Sequence, residues 1–242
     1  TVTFSVNCLD FPSSDEKHTF TRISVPAHIN AYPSFGAVNA QTTVVLTGTD
    51  IGSSATNTLL RAQLGTKGVR CYFGDTEIIA TIISKDVVAC SAPAYIPSVH
   101  SMILSSNDST ARVPVILRIS IDGGSSKFAV AQRYFTYIAA PLISSVSPGV
   151  AVTHQKLPLV FRGSGLQYGE YTSDSERIMQ GDKMTSYRGV CRIGTSTAPL
   201  FVLSSSVAMC VLPASLVPSV SGRFTIAISL NGQEFTYLPY LR

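Results

Sequence analysis

The sequence predicts an all-β protein made of two-layer sandwiches in tandem, arranged end to end. Three observations carry this. Ser, Thr, Val and Ile dominate, while charged residues fall to 13%, about half the usual share; branched side chains lose less freedom on an extended backbone than on a helix. Several segments alternate apolar and polar residues, the pattern of a strand buried on one face. The order of segments between residues 27 and 139 recurs between residues 140 and 242.

Composition bounds the function classes. The 242 residues are 45% hydrophobic, enough for real cores, and 11 Phe and 10 Tyr supply aromatic bulk in the absence of Trp. At about 100–150 residues per domain, that length suits two domains. The net charge of +4 is small and scattered. The longest charged accumulation, Asp15-Glu16-Lys17-His18, is of mixed sign. No Lys/Arg stripe offers an electrostatic footprint for nucleic acid. No run of about 20 apolar residues is present to span a membrane. The chain opens at Thr1 inside a strand-like run, TVTFSV, and reads as a piece of something longer. The absence of a leader therefore says nothing about targeting.

The segments follow in order. Residues 1–26 read strand, turn, strand, like the closing strands of a preceding unit. A proline-marked turn region from 26 leads into the strand Thr43–Thr47, which stops at Gly48. A polar loop covers 49–66; then come VRCYFGD, TEIIATIIS and DVVACSAP. A loop rich in Ser and Pro spans 94–111. In RVPVILRISIDGG, Val115, Leu117, Ile119 and Ile121 share one face, and Asp122-Gly123 supplies turn chemistry. KFAVAQRYFTYI closes this first full unit, 27–139.

The unit 140–242 repeats the series. PLISSVSPG answers HINAYPSFG, LPLVFRGSGL answers TTVVLTGTDI, RGVCRIG answers GVRCYFG, and SSSVAMCVLP answers SKDVVACSAP. GRFTIAISLNGQEFTYLPY answers RVPVILRISIDGGSSKFAV together with RYFTY; Phe224, Ile226, Ile228 and Leu230 alternate onto one face ahead of the turn pair Asn231-Gly232. The period, roughly 110–120 residues, is long for a solenoid and ordinary for a β-sandwich. The one helical candidate is a short turn within 173–186, limited by Gly181.

Five cysteines are present: Cys8, Cys71, Cys90, Cys191 and Cys210. Cys71 to Cys90 and Cys191 to Cys210 each span 19 positions, so the spacing repeats with the units. Read from residues alone, such a pair is a staple, a metal site, a redox couple or a nucleophile. Zinc needs about four clustered ligands, and the histidines 18, 28, 100 and 154 do not recur with the cysteines. No C-x-x-C occurs, and the apolar strand surroundings do not suit a reactive thiolate.

The repeated order of motifs resembles the IPT/TIG family, an immunoglobulin-like fold found in plexins and related receptors and also in some transcription factors. Pro141-Leu142-Ile143-Ser144-Ser145-Val146-Ser147-Pro148-Gly149 resembles its opening segment, and Gly163-Ser164-Gly165-Leu166 its next strand end. Cys71-Tyr72-Phe73-Gly74 and Cys191-Arg192-Ile193-Gly194 resemble its Cys-x-apolar-Gly strand. Cys90-Ser91-Ala92-Pro93 and, loosely, Cys210-Val211-Leu212-Pro213 resemble its Cys-x-x-Pro strand end. Ile228–Phe235 resembles its closing segment; the first unit opens less regularly, with His28 displacing the pattern. The resemblance implies tandem immunoglobulin-like sandwiches with one disulfide each, Cys71–Cys90 and Cys191–Cys210. Loop-closure reasoning agrees, since a link across about 20 residues is worth about 3–4 kcal/mol. Cys8 then falls outside both pairs; an upstream partner is favoured over a free thiol or an inter-chain link.

Stapling points to an oxidising compartment, hence the extracellular face or a secreted protein. Asn107-Asp108-Ser109 is an N-glycosylation sequon, which suits a glycoprotein. No phosphate, metalloprotease or hydrolase motif occurs, so the expectation is a non-enzyme without cofactor or metal. Asp50, Asp75, Glu77 and Asp86 read as solvated turn or loop residues. Asp174, Glu176 and Asp182 lack calcium-loop spacing, and Arg177 and Lys183 lie nearby to pair with them. Contact candidates lie in two long loops. One carries Tyr168, Tyr171, Met179, Met184 and Tyr187; the other carries Tyr95, Ile96, Val99, Met102 and Ile103. In each, the bland alternative is packing onto its own sandwich. The linker Tyr137–Pro141 has no Gly/Ser tract, which predicts a stiff rod. The expected function is a rod-like spacer or adhesion ectodomain. Its partner would be another protein or adjacent repeats, with no nucleic acid and with membrane attachment only outside this segment. The alternatives are an accessory module of a secreted carbohydrate-active protein and an intracellular DNA-binding domain.

Overall fold

A computed structural model describes residues 25–52, 68–95, 112–150, 155–167, 189–214 and 224–238. Every regular element among them is a strand. In the first unit, β1 (Ala27–Tyr32), β3 (Thr43–Thr49), β7 (Val87–Ser91) and β6 (Thr81–Ser84) form a four-stranded sheet in the order β1-β3-β7-β6. Facing it is a five-stranded sheet in the order β2-β9-β8-β4-β5, from β2 (Phe35–Ala37), β9 (Phe128–Ile138), β8 (Arg112–Ser120), β4 (Arg70–Phe73) and β5 (Thr76–Ile79). β2 pairs in parallel with the end of β9; the other ladders are antiparallel.

The chain changes layer at both margins. β1 pairs with β3, and after the cis Tyr32–Pro33 bond β2 joins the other sheet. The TEIIATIIS run also divides. Its first half, β5, pairs with β4, and its second half, β6, pairs with β7. The change falls at Ala80, whose N–H donates to the Val69 carbonyl at 2.9 Å.

The second unit uses the same plan with one strand unbroken. β13 (Ser196–Ser204) pairs first with β12 (Gly189–Ile193) and then with β14 (Val207–Leu212). Both layers thus join into one seven-stranded order: β10 (Leu142–Ser147), β11 (Leu157–Ser164), β14, β13, β12, β15 (Ile226–Ser229) and β16 (Thr236–Tyr237).

The alternation read from sequence places the core. Leu117, Ile119 and Ile121 are buried in the first unit with Val44, Leu46, Val88 and Phe135. Ile228 and Leu230 are buried in the second with Leu159, Phe161, Leu200 and Leu212. Phe224 departs from the expectation: it lies ahead of β15 and is exposed. The register also settles how the closing strands correspond. Ile119 faces Phe128 and Ile228 faces Thr236, so EFTYL answers KFAV and not RYFTY.

Cys71 on β4 is joined to Cys90 on β7, linking the two sheets of the first unit; Cys191 on β12 is joined to Cys210 on β14. The Cα separation is 6.4 Å in both, within the range a disulfide spans. All four cysteines are buried among core side chains.

Candidate functional site

The site that links the two units is a polar turn between β15 and β16. Asn231 organises it. Its Oδ1 accepts hydrogen bonds from Ser229 Oγ (3.3 Å), Gln233 N (3.0 Å) and Glu234 N (3.3 Å), while Gly232 takes φ +81°. An Asn side chain that receives backbone N–H groups two and three residues on fixes such a turn locally. Asn231 Nδ2 faces the other way. It donates to the Phe35 carbonyl in the first unit at 3.3 Å and also to Glu234 Oε2.

The neighbouring side chains extend this contact. Gln233 pairs with both backbone groups of Thr43: Nε2 donates to the carbonyl and Oε1 accepts from the N–H, each at 2.9 Å. The amide side chain thereby imitates a strand neighbour. Glu234 Oε1 accepts from Thr42 Oγ1 at 2.7 Å. Gly36 makes room for Thr42, because a Cβ there would meet Thr42 Cβ at 2.7 Å and Phe135 Cζ at 3.1 Å. Beneath the polar groups, Phe35 and Ile138 of the first unit pack in the apolar cluster of the second. Phe35 is 1% exposed, whereas Val150, at the corresponding place after Pro148, is 86% exposed. Arg112 closes another side, donating through a terminal guanidinium nitrogen to the Gln167 carbonyl at 3.4 Å. Burial pushes its guanidinium pKa down.

The first unit carries a related turn at the matching position, with the same serine-to-Oδ1 bond. Asp122 Oδ1 accepts from Ser120 Oγ (2.7 Å) and Ser126 N (2.9 Å), and Gly124 N donates to Ser120 Oγ (2.8 Å). Desolvation pushes the Asp122 pKa up, but hydrogen bonds from Ser126 and Ser120 outweigh it and leave the carboxyl below its usual range.

The loop candidates fare unequally. Cys8, Asn107, Tyr168, Tyr171, Met179, Met184 and Tyr187 lie outside the described residues, as do Ile96, Val99, Met102 and Ile103, the helical candidate and the acidic residues 174, 176 and 182. Tyr95 is described, and it packs on its own sandwich. Its ring lies 5.1 Å from Tyr137, and its N–H donates to the Val38 carbonyl at 2.9 Å. Tyr137 in turn donates to the Pro93 carbonyl, and burial beside Tyr95 pushes its phenol pKa up. Glu77 is not a loop residue. It stands in β5, pairs with Arg70 and accepts from Tyr72 Oη at 2.9 Å. Asp86 ties a turn by accepting from Asp50 N at 3.0 Å, which holds its carboxyl below the usual range. Among the described residues, no group of three or more His, Cys, Asp or Glu side chains is placed to hold a metal.

Sequence reasoning named Asn231-Gly232 as a turn but missed its contact with the first unit. A signal was present: Gln and Glu follow the second turn pair, where Gly and Ser follow the first.

The IPT/TIG domain model matches residues 27–115 and 141–241, most of the chain. The chain belongs to the IPT/TIG family. Both IPT/TIG regions carry the Cys-x-apolar-Gly strand with its glycine at positive φ, +63° at Gly74 and +55° at Gly194. No curated protein matches by sequence. Among solved structures, the IPT/TIG repeats are similar to part of the full extracellular region of plexin A4, domains 1 to 10: TM-score 0.50 and 14% identity over 87% of this chain and 15% of that one. A second plexin A4 structure, domains 1 to 8, aligns over 86% of this chain and 23% of that one at TM-score 0.31 and 12% identity. Invasin, a bacterial integrin-binding protein, aligns over 86% of this chain and 37% of that one at TM-score 0.26 and 15% identity. This chain therefore spans only a minor part of each of those proteins.

Proposed function

We propose that the chain is a non-enzymatic segment of an extracellular or cell-surface protein, a stiff spacer that supports adhesion or protein–protein interaction. The observation that carries this reading is the junction, where Asn231, Gln233 and Glu234 of one repeat hold Phe35, Thr42 and Thr43 of the other. A polar turn over shared apolar packing resists bending better than a linker alone. The working units are residues 27–139 and 140–242, with residues 1–26 closing a preceding repeat. Two disulfides in buried strand positions suit an oxidising compartment. Asn107 is the proposed glycan site, and the loop with Tyr168, Tyr171, Met179, Met184 and Tyr187 is the proposed contact surface for a protein partner.

The test is peptide mapping under non-reducing conditions on protein taken from its native source, with small-angle X-ray scattering on the same sample. The expected result is Cys71–Cys90 and Cys191–Cys210 links and an elongated particle. Free thiols at both pairs in folded protein overturn the location. A compact or freely jointed particle overturns the spacer.

A further inference from the structure

Asn231 and Asp122 occupy matching positions in the turns that follow β15 and β8. In each, a serine two residues earlier donates its hydroxyl to Oδ1; backbone N–H groups two and three residues on donate to that oxygen in Asn231, and one four residues on does so in Asp122. Oδ1 is the organising acceptor in both turns, and an aspartate supplies that acceptor as an asparagine does. The residues differ in the other head atom. In Asn231 it is Nδ2, a donor, set between the Phe35 carbonyl and the Glu234 carboxylate. Both neighbours are acceptors. A carboxylate there would place an oxygen against a carbonyl oxygen and a second negative charge beside Glu234. Asn231 is buried, so water would not relieve the conflict.

We infer that the side-chain amide of Asn231 is the specificity element of an inter-repeat latch: an amide at this turn position fastens a repeat to the backbone carbonyl of the immunoglobulin-like repeat before it, and a carboxylate releases it. This deepens the stiff-spacer reading and rests on it. The choice between Asn and Asp at one turn position then sets whether a junction is closed or hinged, with the turn itself unchanged. Gln233 and Glu234 complete the contact, but they need the second repeat seated where the Asn231 amide places it.

The test uses the whole chain. Residual dipolar couplings report whether both repeats share one alignment tensor, and amide exchange at Thr43, whose N–H is held by Gln233 Oε1, reports the local contact. The wild type is expected to fit one tensor. Asn231→Asp is expected to keep the spectra of both folded cores, to require two tensors, and to raise Thr43 exchange about tenfold. Asp122→Asn, which changes the matching turn away from this junction, is expected to leave both readouts at wild type. Gln233→Ala is the second probe, and it is expected to raise Thr43 exchange with both cores intact. If Asn231→Asp keeps one tensor and wild-type exchange, the latch is overturned and the spacer stands. If the wild type already needs two tensors, the spacer reading falls and the latch with it.

Discussion

Asp122 and Asp86 show how a single carboxylate fixes a turn. Each accepts backbone N–H bonds that hold its pKa below the usual aspartate range. A depressed folded pKa means that the unfolded state takes up protons first as the pH falls. The contribution is therefore complete above about pH 5 and disappears as acid carries the pH down through the depressed values. Asp122→Asn, which retains the Oδ1 acceptor, is expected to flatten this acid dependence, read as denaturation midpoint against pH between about 5 and 2. Asp122→Ala is expected to cost about 1 kcal/mol at neutral pH by chemical denaturation, because the Ser126 N–H and the Ser120 hydroxyl lose their acceptor. Gly165 takes φ +71°, where the first repeat has Asp50 at +58°. Gly165→Ala is expected to cost about 1 kcal/mol, and Gly165→Asn less, since Asn tolerates this conformation. The turns at Asp122 and Asn231 were legible from Asp-Gly and Asn-Gly. The outward-facing half of Asn231 was not, because its partner stands nearly the whole chain away.

The strands were legible because alternation and burial coincide. Leu117, Ile119 and Ile121 point inward as their spacing requires, and Ile228 and Leu230 do the same. Pairing partners were harder to read. TEIIATIIS looks like one strand, yet it serves two sheets, and only the ladders on either side of Ala80 reveal the change. The counterpart β13 makes the same passage without a break. Phe224 was misplaced because alternation carried one step past the strand end says nothing about whether a facing layer is there. Each buried cysteine pair binds strands that also carry core residues. Replacing Cys191 and Cys210 together by Ser is therefore expected to destabilise the second sandwich by about 2–5 kcal/mol. Urea unfolding followed through backbone signals of each repeat checks this, and the larger shift in midpoint is expected in the second sandwich.

For the whole molecule, the junction lies between residues that look unremarkable in sequence. Phe35 follows Pro33 and Ser34 in what reads as a turn, yet it is buried in the apolar cluster of the other repeat. Nothing local marks that role. The corresponding Val150 has similar surroundings in sequence and stands exposed. Phe35→Ala is expected to cost about 3–5 kcal/mol. The loss should fall on the second repeat although the substitution lies in the first, a displacement that repeat-resolved hydrogen exchange detects. The family motifs were legible because each serves one sandwich internally. The junction was not, because it belongs to neither repeat alone.

The passage of strands between layers also bears on aggregation. The outer strands of the first sandwich are short, six residues in β1, three in β2 and four each in β5 and β6. Each pair consists of two halves of one passing segment. Among the described residues of the first sandwich, a visiting strand finds no long straight margin on which to zip, and short edges are one way sheet proteins avoid joining edge to edge. Short, divided edges of this kind disfavour backbone ladders between copies of the first sandwich.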